Sequence, residues 1–356
     1  MVDRMRALIL REWTDFANLT IEENWPEPIV SPGILKIRTQ AIGINFALSL
    51  RTKGEYQIRP ELPHVPGVEL CGYVSEIGDG VSGFRIGDRV TSFVTYGALA
   101  EHCLALPHRT FVLPDAVDFH QAVGLTSSYM TSYAALVWPQ WVNIASGETL
   151  LVHGAAGGVG LSAIAIGKIR GARVIATVGS EEKRQCCLKH GADIAINYRE
   201  DDFVEKVWEQ TDHVGANAVL DPVGGDLFLQ SLRCLAPEGR IVPLGFAGGQ
   251  IQQIPANILL AKNIKILALN YGYYIGQWGR DPRRHKDMGK QYEALVRESM
   301  QQLFFWIEQE RIHLQTAGTF GFGQFREAMQ LVLSRKAIGR VSVVLDEEAR
   351  KLGIKD

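Results

Sequence analysis

Thr149-Leu150-Leu151-Val152-His153-Gly154-Ala155-Ala156-Gly157-Gly158-Val159-Gly160 runs from an apolar strand through a glycine-rich turn into a helix. Written as Ala155-x-Gly157-x-x-Gly160, it is a dinucleotide-binding fingerprint whose first glycine is replaced by alanine. Gly157 lets the backbone approach a pyrophosphate, and the helix start offers it unpaired N–H groups and a positive dipole end. Gly160 lets the helix pack closely on the sheet. Glycine-rich turns between strand and helix also occur as purely structural features, so the surrounding pattern has to support the reading.

It does so in the C-terminal direction. Apolar strand patterns at 149–153, 173–178, 193–197, 216–221, 240–245 and 264–270 alternate with helical patterns at 159–170, 181–190, 202–210 and 226–235. Parallel neighbours need crossovers, and helical crossovers cover both sheet faces, so this rhythm predicts a doubly wound parallel sheet. Ser180, Asp201 and Gly225 stand where helix N-caps are wanted, and Gly171 and Gly191 where helices end. Upstream, residues 1 to about 123 carry short β-patterned runs at 34–39, 72–77, 89–94, 98–104 and 110–112, separated by glycine-containing turns. They predict a mostly antiparallel β domain. Downstream, a Tyr- and Gly-rich stretch and a basic loop, Arg280 to Lys286, precede a helix over 289–309 and a strand over 340–345. So short a segment more reasonably completes the N-terminal domain than folds alone.

Bulk properties narrow the partners. The 356 residues carry 37 basic and 39 acidic side chains, a formal net charge of −2, so no nucleic acid is expected and a small molecule is. Only four consecutive apolar residues precede Arg11, fewer than a signal peptide's apolar core needs, and no run approaches a membrane span. Cys71, Cys103, Cys186, Cys187 and Cys234 are an odd number without disulfide spacing, which fits the reducing cytoplasm.

The choice between NAD and NADP falls about 20 residues beyond the turn, where an acidic residue would accept hydrogen bonds from the ribose and repel a 2′-phosphate. Here the strand ends Thr177-Val178-Gly179-Ser180. Glu181 and Glu182 follow, but in a helix's first turn they complement its dipole. Lys183, Arg184, Ser180 and Tyr198 supply positive charge or hydroxyls, so NADPH is the expected cofactor. Lys183 and Arg184 also fit a merely solvated helix face.

These residues, together with Gly43-Ile44-Asn45-Phe46, Gly54-Glu55-Tyr56, Pro66-Gly67-Val68-Glu69, Gly87-Asp88-Arg89-Val90 and Leu125-Thr126-x-x-Tyr129-x-Thr131-x-Tyr133-x-Ala135-Leu136, resemble the medium-chain dehydrogenase/reductases. The similarity runs in order over nearly the whole chain and is greatest to the zinc-free quinone oxidoreductases that include zeta-crystallin. It implies an α/β protein in which a Rossmann sheet is inserted in a GroES-like, mostly β catalytic domain: 1–124 the first catalytic part, 125–271 the NADPH-binding part and 272–356 the return. A homodimer or homotetramer is implied as well.

Zinc-dependent members carry a cysteine where this chain has Asn45 and a histidine where it has Val68, and neither residue here is a plausible zinc ligand. No metal is therefore expected, and Glu69 reads as a structural residue. The resemblance places Asn45, Tyr56 and Thr131 at the nicotinamide, Ala156, Gly157, Gly158 and Val159 on the pyrophosphate, Gly179, Lys183 and Tyr198 at the adenosine phosphate, and Leu244, Gly245, Phe246, Ala247, Leu269, Asn270 and Tyr271 along the cofactor. Leu48 departs from the family, which often has an acidic residue there.

Without a Lewis acid, reduction of an already electrophilic acceptor, a quinone or conjugated carbonyl, is the chemistry left. Tyr56 either donates a proton to it or only packs. Three other functions stay open. One is an enoyl or alkenal reductase acting on an acyl thioester, suggested by the basic loop and the aromatics before it, another is a non-catalytic NADPH-binding protein, and the third, a zinc alcohol dehydrogenase with unusual ligands, would require stoichiometric metal in the purified protein.

Overall fold

The computed structural model describes residues 3–277 and 288–354, so the basic loop at 280–286 and Trp278 lie outside the described residues. The chain divides into two units, one comprising Met1–Ser127, Gly272–Glu308 and Leu314–Asp356, the other Ser128–Tyr271 with Gln309–His313.

In the first unit, β1 (Arg4–Ile9) and β2 (Thr20–Pro26) form an antiparallel pair. The larger sheet contains β3 (Leu35–Ile44), β4 (Glu69–Ile77), β5 (Arg89–Phe93), β6 (His102–Ala105) and β7 (Thr110–Val112). β3 is buried along nearly its whole length because β4, β6 and a returning strand all pair with it. Leu35, Ile37, Ile42, Leu70, Val74 and Val90 build the core from these strands, and Phe322, Phe325 and Met329 close it. The pattern expected at 98–104 yields pairing only from His102, with a single bridge between Ala7 and Ala100 before it.

In the second unit, β8 (Thr149–Val152), β9 (Arg173–Val178), β10 (Ile194–Asn197), β11 (Ala216–Asp221), β12 (Leu235–Pro243) and β13 (Lys265–Ile266) are all parallel, in the order β10-β9-β8-β11-β12-β13. Their near-continuous apolar runs follow from burial on both faces, with β8 buried at every position. The order reverses at β8, the switch point beside which doubly wound sheets bind ligands.

The last strand is shorter than the 264–270 expected. Beyond Ile266 the chain leaves the sheet and coils into a short helix, Tyr271–Tyr274. The cap expected at Asp201 belongs to Asp202, whose Oδ1 accepts from Val204 N–H at 2.8 Å and Glu205 N–H at 3.3 Å. Ser180 and Gly225 do occupy N-cap positions. Back in the first unit, the helix expected over 289–309 is broken at Tyr292 into Met288–Gln291 and Glu293–Glu308. β14 (Thr316–Gly321) then pairs parallel to β15 (Arg340–Val344), and β15 pairs antiparallel to β3. Among the described residues, no helix is long and apolar enough to cross a membrane.

Candidate active site

The turn after β8 is held from below by His153, which is fully buried. Its Nε2 lies 2.6 Å from Ser231 Oγ and its Nδ1 2.7 Å from Thr177 Oγ1. Ser231 spends its own proton on the Leu227 carbonyl, so its oxygen accepts from His153 Nε2–H, and Thr177 donates to Nδ1. The ring is thus held neutral, and burial lowers its pKa. It ties the end of β8 to β9 and to the helix Asp226–Cys234.

Above it, Gly157 caps the helix Gly158–Ile169 and brings no side-chain acceptor to the first turn. Ala156 is buried, while Gly157, Gly158 and Val159 are half-buried and within reach of a ligand. A Cβ at Gly160 would overlap the backbone of Ala155, so only glycine lets this helix start so close to the strand end. The Val159 carbonyl accepts from Ser132 Oγ at 3.0 Å and Ser162 Oγ at 2.8 Å, which fixes the turn to the helix Met130–Val137. Thr131 stands half-buried on that helix.

The second cradle forms at the end of β9. A Cβ on Gly179 would stand 2.7 Å from the Tyr198 hydroxyl and 3.3 Å from Arg199 Nε, so both side chains converge over the missing one. Ser180 is committed to capping, its Oγ accepting from Lys183 N–H at 3.4 Å. Arg184 is committed too, through two hydrogen bonds to Glu181 at 2.6 and 2.8 Å that, with Gln185, bring that carboxyl down to about 2. Among the described residues the exposed Arg199 guanidinium has no hydrogen-bond or ion-pair partner. Sequence reasoning passed over Arg199, although it directly follows Tyr198; a strand-end tyrosine drew attention that belonged to the pair.

On the other side of the sheet, Leu244, Gly245, Phe246 and Ala247 follow β12. Leu244 N–H donates to the Asp221 carbonyl at 2.7 Å and Ala247 N–H to Pro222 at 3.2 Å. Phe246 is exposed. Asp221 is fully buried, with Oδ1 accepting from Val223 and Gly224 N–H and Oδ2 lacking a partner among the described residues. Of the remaining positions, Asn270 is exposed, while Leu269 is buried and Tyr271 packs on Trp138 with ring centroids 6.4 Å apart.

In the first unit, Asn45 caps the helix Phe46–Thr52. Its Oδ1 accepts from Leu48 N–H at 3.0 Å and its Nδ2 donates to Glu69 Oε1 at 3.2 Å. Glu69 also accepts from Ser127 Oγ at 2.5 Å and from Arg340 Nη2. This makes Glu69 an anchor that holds the Asn45 amide in one orientation. Leu48 is buried. Tyr56 lies under the Arg51 guanidinium, whose carbon is 4.1 Å from the ring centroid. Burial lowers the Arg51 pKa against the opposing pull of Tyr56, and among the described residues its Nε has no hydrogen-bond partner.

Position 68, a buried valine, and position 45, an amide bonded to Leu48 N–H and Glu69, offer zinc no thiolate, imidazole or carboxylate. Among the described residues no group of three or more His, Cys, Asp or Glu side chains is placed to hold one. Cys71, Cys103, Cys187 and Cys234 are free thiols pushed up to about 12 by burial.

The alcohol dehydrogenase GroES-like domain family matches residues 31–141, and the zinc-binding dehydrogenase family residues 158–282. Quinone oxidoreductase-like protein 2 of Mus musculus is 37% identical over 328 residues, 92% of this chain and 89% of its own. A mycobacterial protein solved in complex with NADPH is 30% identical with a TM-score of 0.85, covering 96% of this chain and 99% of that one. The quinone oxidoreductase of Escherichia coli, also solved with NADPH, is 29% identical with a TM-score of 0.81 over 96% and 99%. A strand order that reverses at a glycine-rich turn, a β unit completed by the C-terminal strands and this similarity over nearly the full length agree: the chain belongs to the quinone oxidoreductase family of the medium-chain dehydrogenase/reductases.

Proposed function

We propose that the chain reduces a quinone or similar conjugated carbonyl acceptor with NADPH and without zinc. The observation that carries the cofactor choice is the cradle over Gly179, where Tyr198 and Arg199 converge. A phosphate there gains a hydroxyl and a guanidinium, with Lys183 in the following helix turn. The helix start at Gly157 to Val159, which has no side-chain cap, with Ala156 before it, suits a pyrophosphate. Leu244 to Ala247 and Leu269 to Tyr271 line the cofactor's path.

When bound, NADPH supplies the hydride. The protein's part is orientation: Asn45, locked by Glu69, and Thr131 hold the nicotinamide, and Tyr56 presents its hydroxyl to the acceptor oxygen. Arg51, stacked on Tyr56, keeps that ring in place. Lacking a metal ligand at 45 or 68, the site suits acceptors electrophilic enough to need no Lewis acid. The protein is taken to work in the cytoplasm as a homodimer or homotetramer, which sedimentation will test.

Steady-state NADPH oxidation against quinones and 2-enoyl thioesters is the test. Turnover of quinones is expected. Turnover of the thioesters alone would replace the acceptor, tight NADPH binding with no turnover would make this a binding protein, and tighter binding of NADH would overturn the cofactor.

A further inference from the structure

A depression of about 370 Å³ lies in the second unit, away from the Gly179 cradle, where the C-terminal ends of the helices Gly158–Ile169 and Glu181–Lys189 meet the segment Gln309–His313. That volume is in the range of small-molecule sites. Leu161, Ala165 and Ile169 give it an apolar wall. Of the remaining lining residues, Lys168, Lys189 and Arg311 carry positive charge, His190 and His313 carry imidazole rings, and Gly191 has no side chain.

Two of these groups have a local explanation. Lys168 and Lys189 sit in the last turns of their helices, where positive charge complements the dipole, and Lys168 is further paired with Asp193 at 2.7 Å. Arg311 and His313 have no such reason to be there. They flank Ile312, which is 3% exposed, so burial of that one side chain turns both neighbours outward toward the depression. His190 spends Nδ1–H on the Cys186 carbonyl at 2.8 Å, which leaves Nε2 for another partner. Among the described residues, the Lys189 and Arg311 side chains form no hydrogen bond or ion pair. Unmatched like charges such as Lys189 and Arg311, gathered in a concave site, repel one another unless an anion joins them.

We propose that this depression binds a phosphate monoester with an apolar body, the phosphate between Lys189, Arg311 and the two histidines and the body against Leu161, Ala165 and Ile169. The test is a titration of the full chain with phenyl phosphate and, separately, inorganic phosphate, followed by NMR of the histidine ring signals and assigned with His190→Gln and His313→Gln. The His153 signal reports the turn at 154–160 and separates the two locations. The expected result is saturable movement of the His190 and His313 signals, tighter for phenyl phosphate, with the His153 signal independent. Lys189→Gln with Arg311→Gln, both at exposed positions, is expected to weaken binding by at least roughly tenfold. Absence of saturation, equal affinity for the two phosphates, movement only in step with His153, or an unchanged affinity in the double variant would each overturn the proposal.

Discussion

Glu69 is only 1% exposed, so its carboxyl group depends on donors that replace its lost water. Asn45, Ser127 and Arg340 are those donors, and Gly43 makes room, since a Cβ there would overlap the carboxyl group. Replacing Glu69 with Gln leaves the Arg340 guanidinium without its carboxylate, which costs about 3–5 kcal/mol when such a pair is buried. Urea unfolding should show the loss, and a midpoint within error of the parent would sink the anchor role. Arg199 makes the opposite kind of prediction. It is exposed and no ion pair commits it, so Arg199→Glu should leave stability almost unchanged while weakening NADPH binding by roughly ten- to a hundredfold. NADH, lacking the 2′-phosphate, should lose far less, and equal losses for both cofactors would remove Arg199 from the cradle.

Gly160 matters for a whole element. Ala at this position drives a methyl into the Ala155 backbone and forces the helix Gly158–Ile169 off β8. Gly160→Ala should cost about 1–3 kcal/mol, detectable as a lower thermal midpoint, with a matching loss of cofactor affinity because the helix start moves. This turn was legible in the sequence because a local rule, strand then glycine turn then helix, coincides with the topology. The parallel strands were equally plain, since burial on both faces writes itself as uninterrupted apolar runs. Elements that take their strand character from a partner rather than from their own pattern were not. β1 and β2 escaped because β2 alternates poorly, with no fully buried residue, and its strand character comes from pairing with β1. β14 is half-buried almost throughout and is a strand by virtue of β15. The convergence of Tyr198 and Arg199 over Gly179 depends on how the end of β10 lies beside β9, which no spacing rule states.

At the scale of the molecule, acid stability divides into two ranges. His64, His102, His108 and His153 are all lowered by burial, His108 to about 4. Above their unfolded range, near 6.5, both states hold them neutral and their contribution is complete. As pH falls below that, the unfolded chain takes up protons the folded chain refuses, so stability drops until the folded pKa values are reached. Carboxyls such as Asp118, lowered by its hydrogen bond from Lys351, keep their contribution until the pH approaches the carboxylate range. Between pH 7.5 and 5.5 the decline therefore belongs to the histidines. His108→Gln should remove about 1 kcal/mol of it, allowing for the ring's partial exposure. Urea unfolding of parent and variant at both pH values measures the difference, and a variant whose stability falls as steeply as the parent's would show that the decline arises elsewhere.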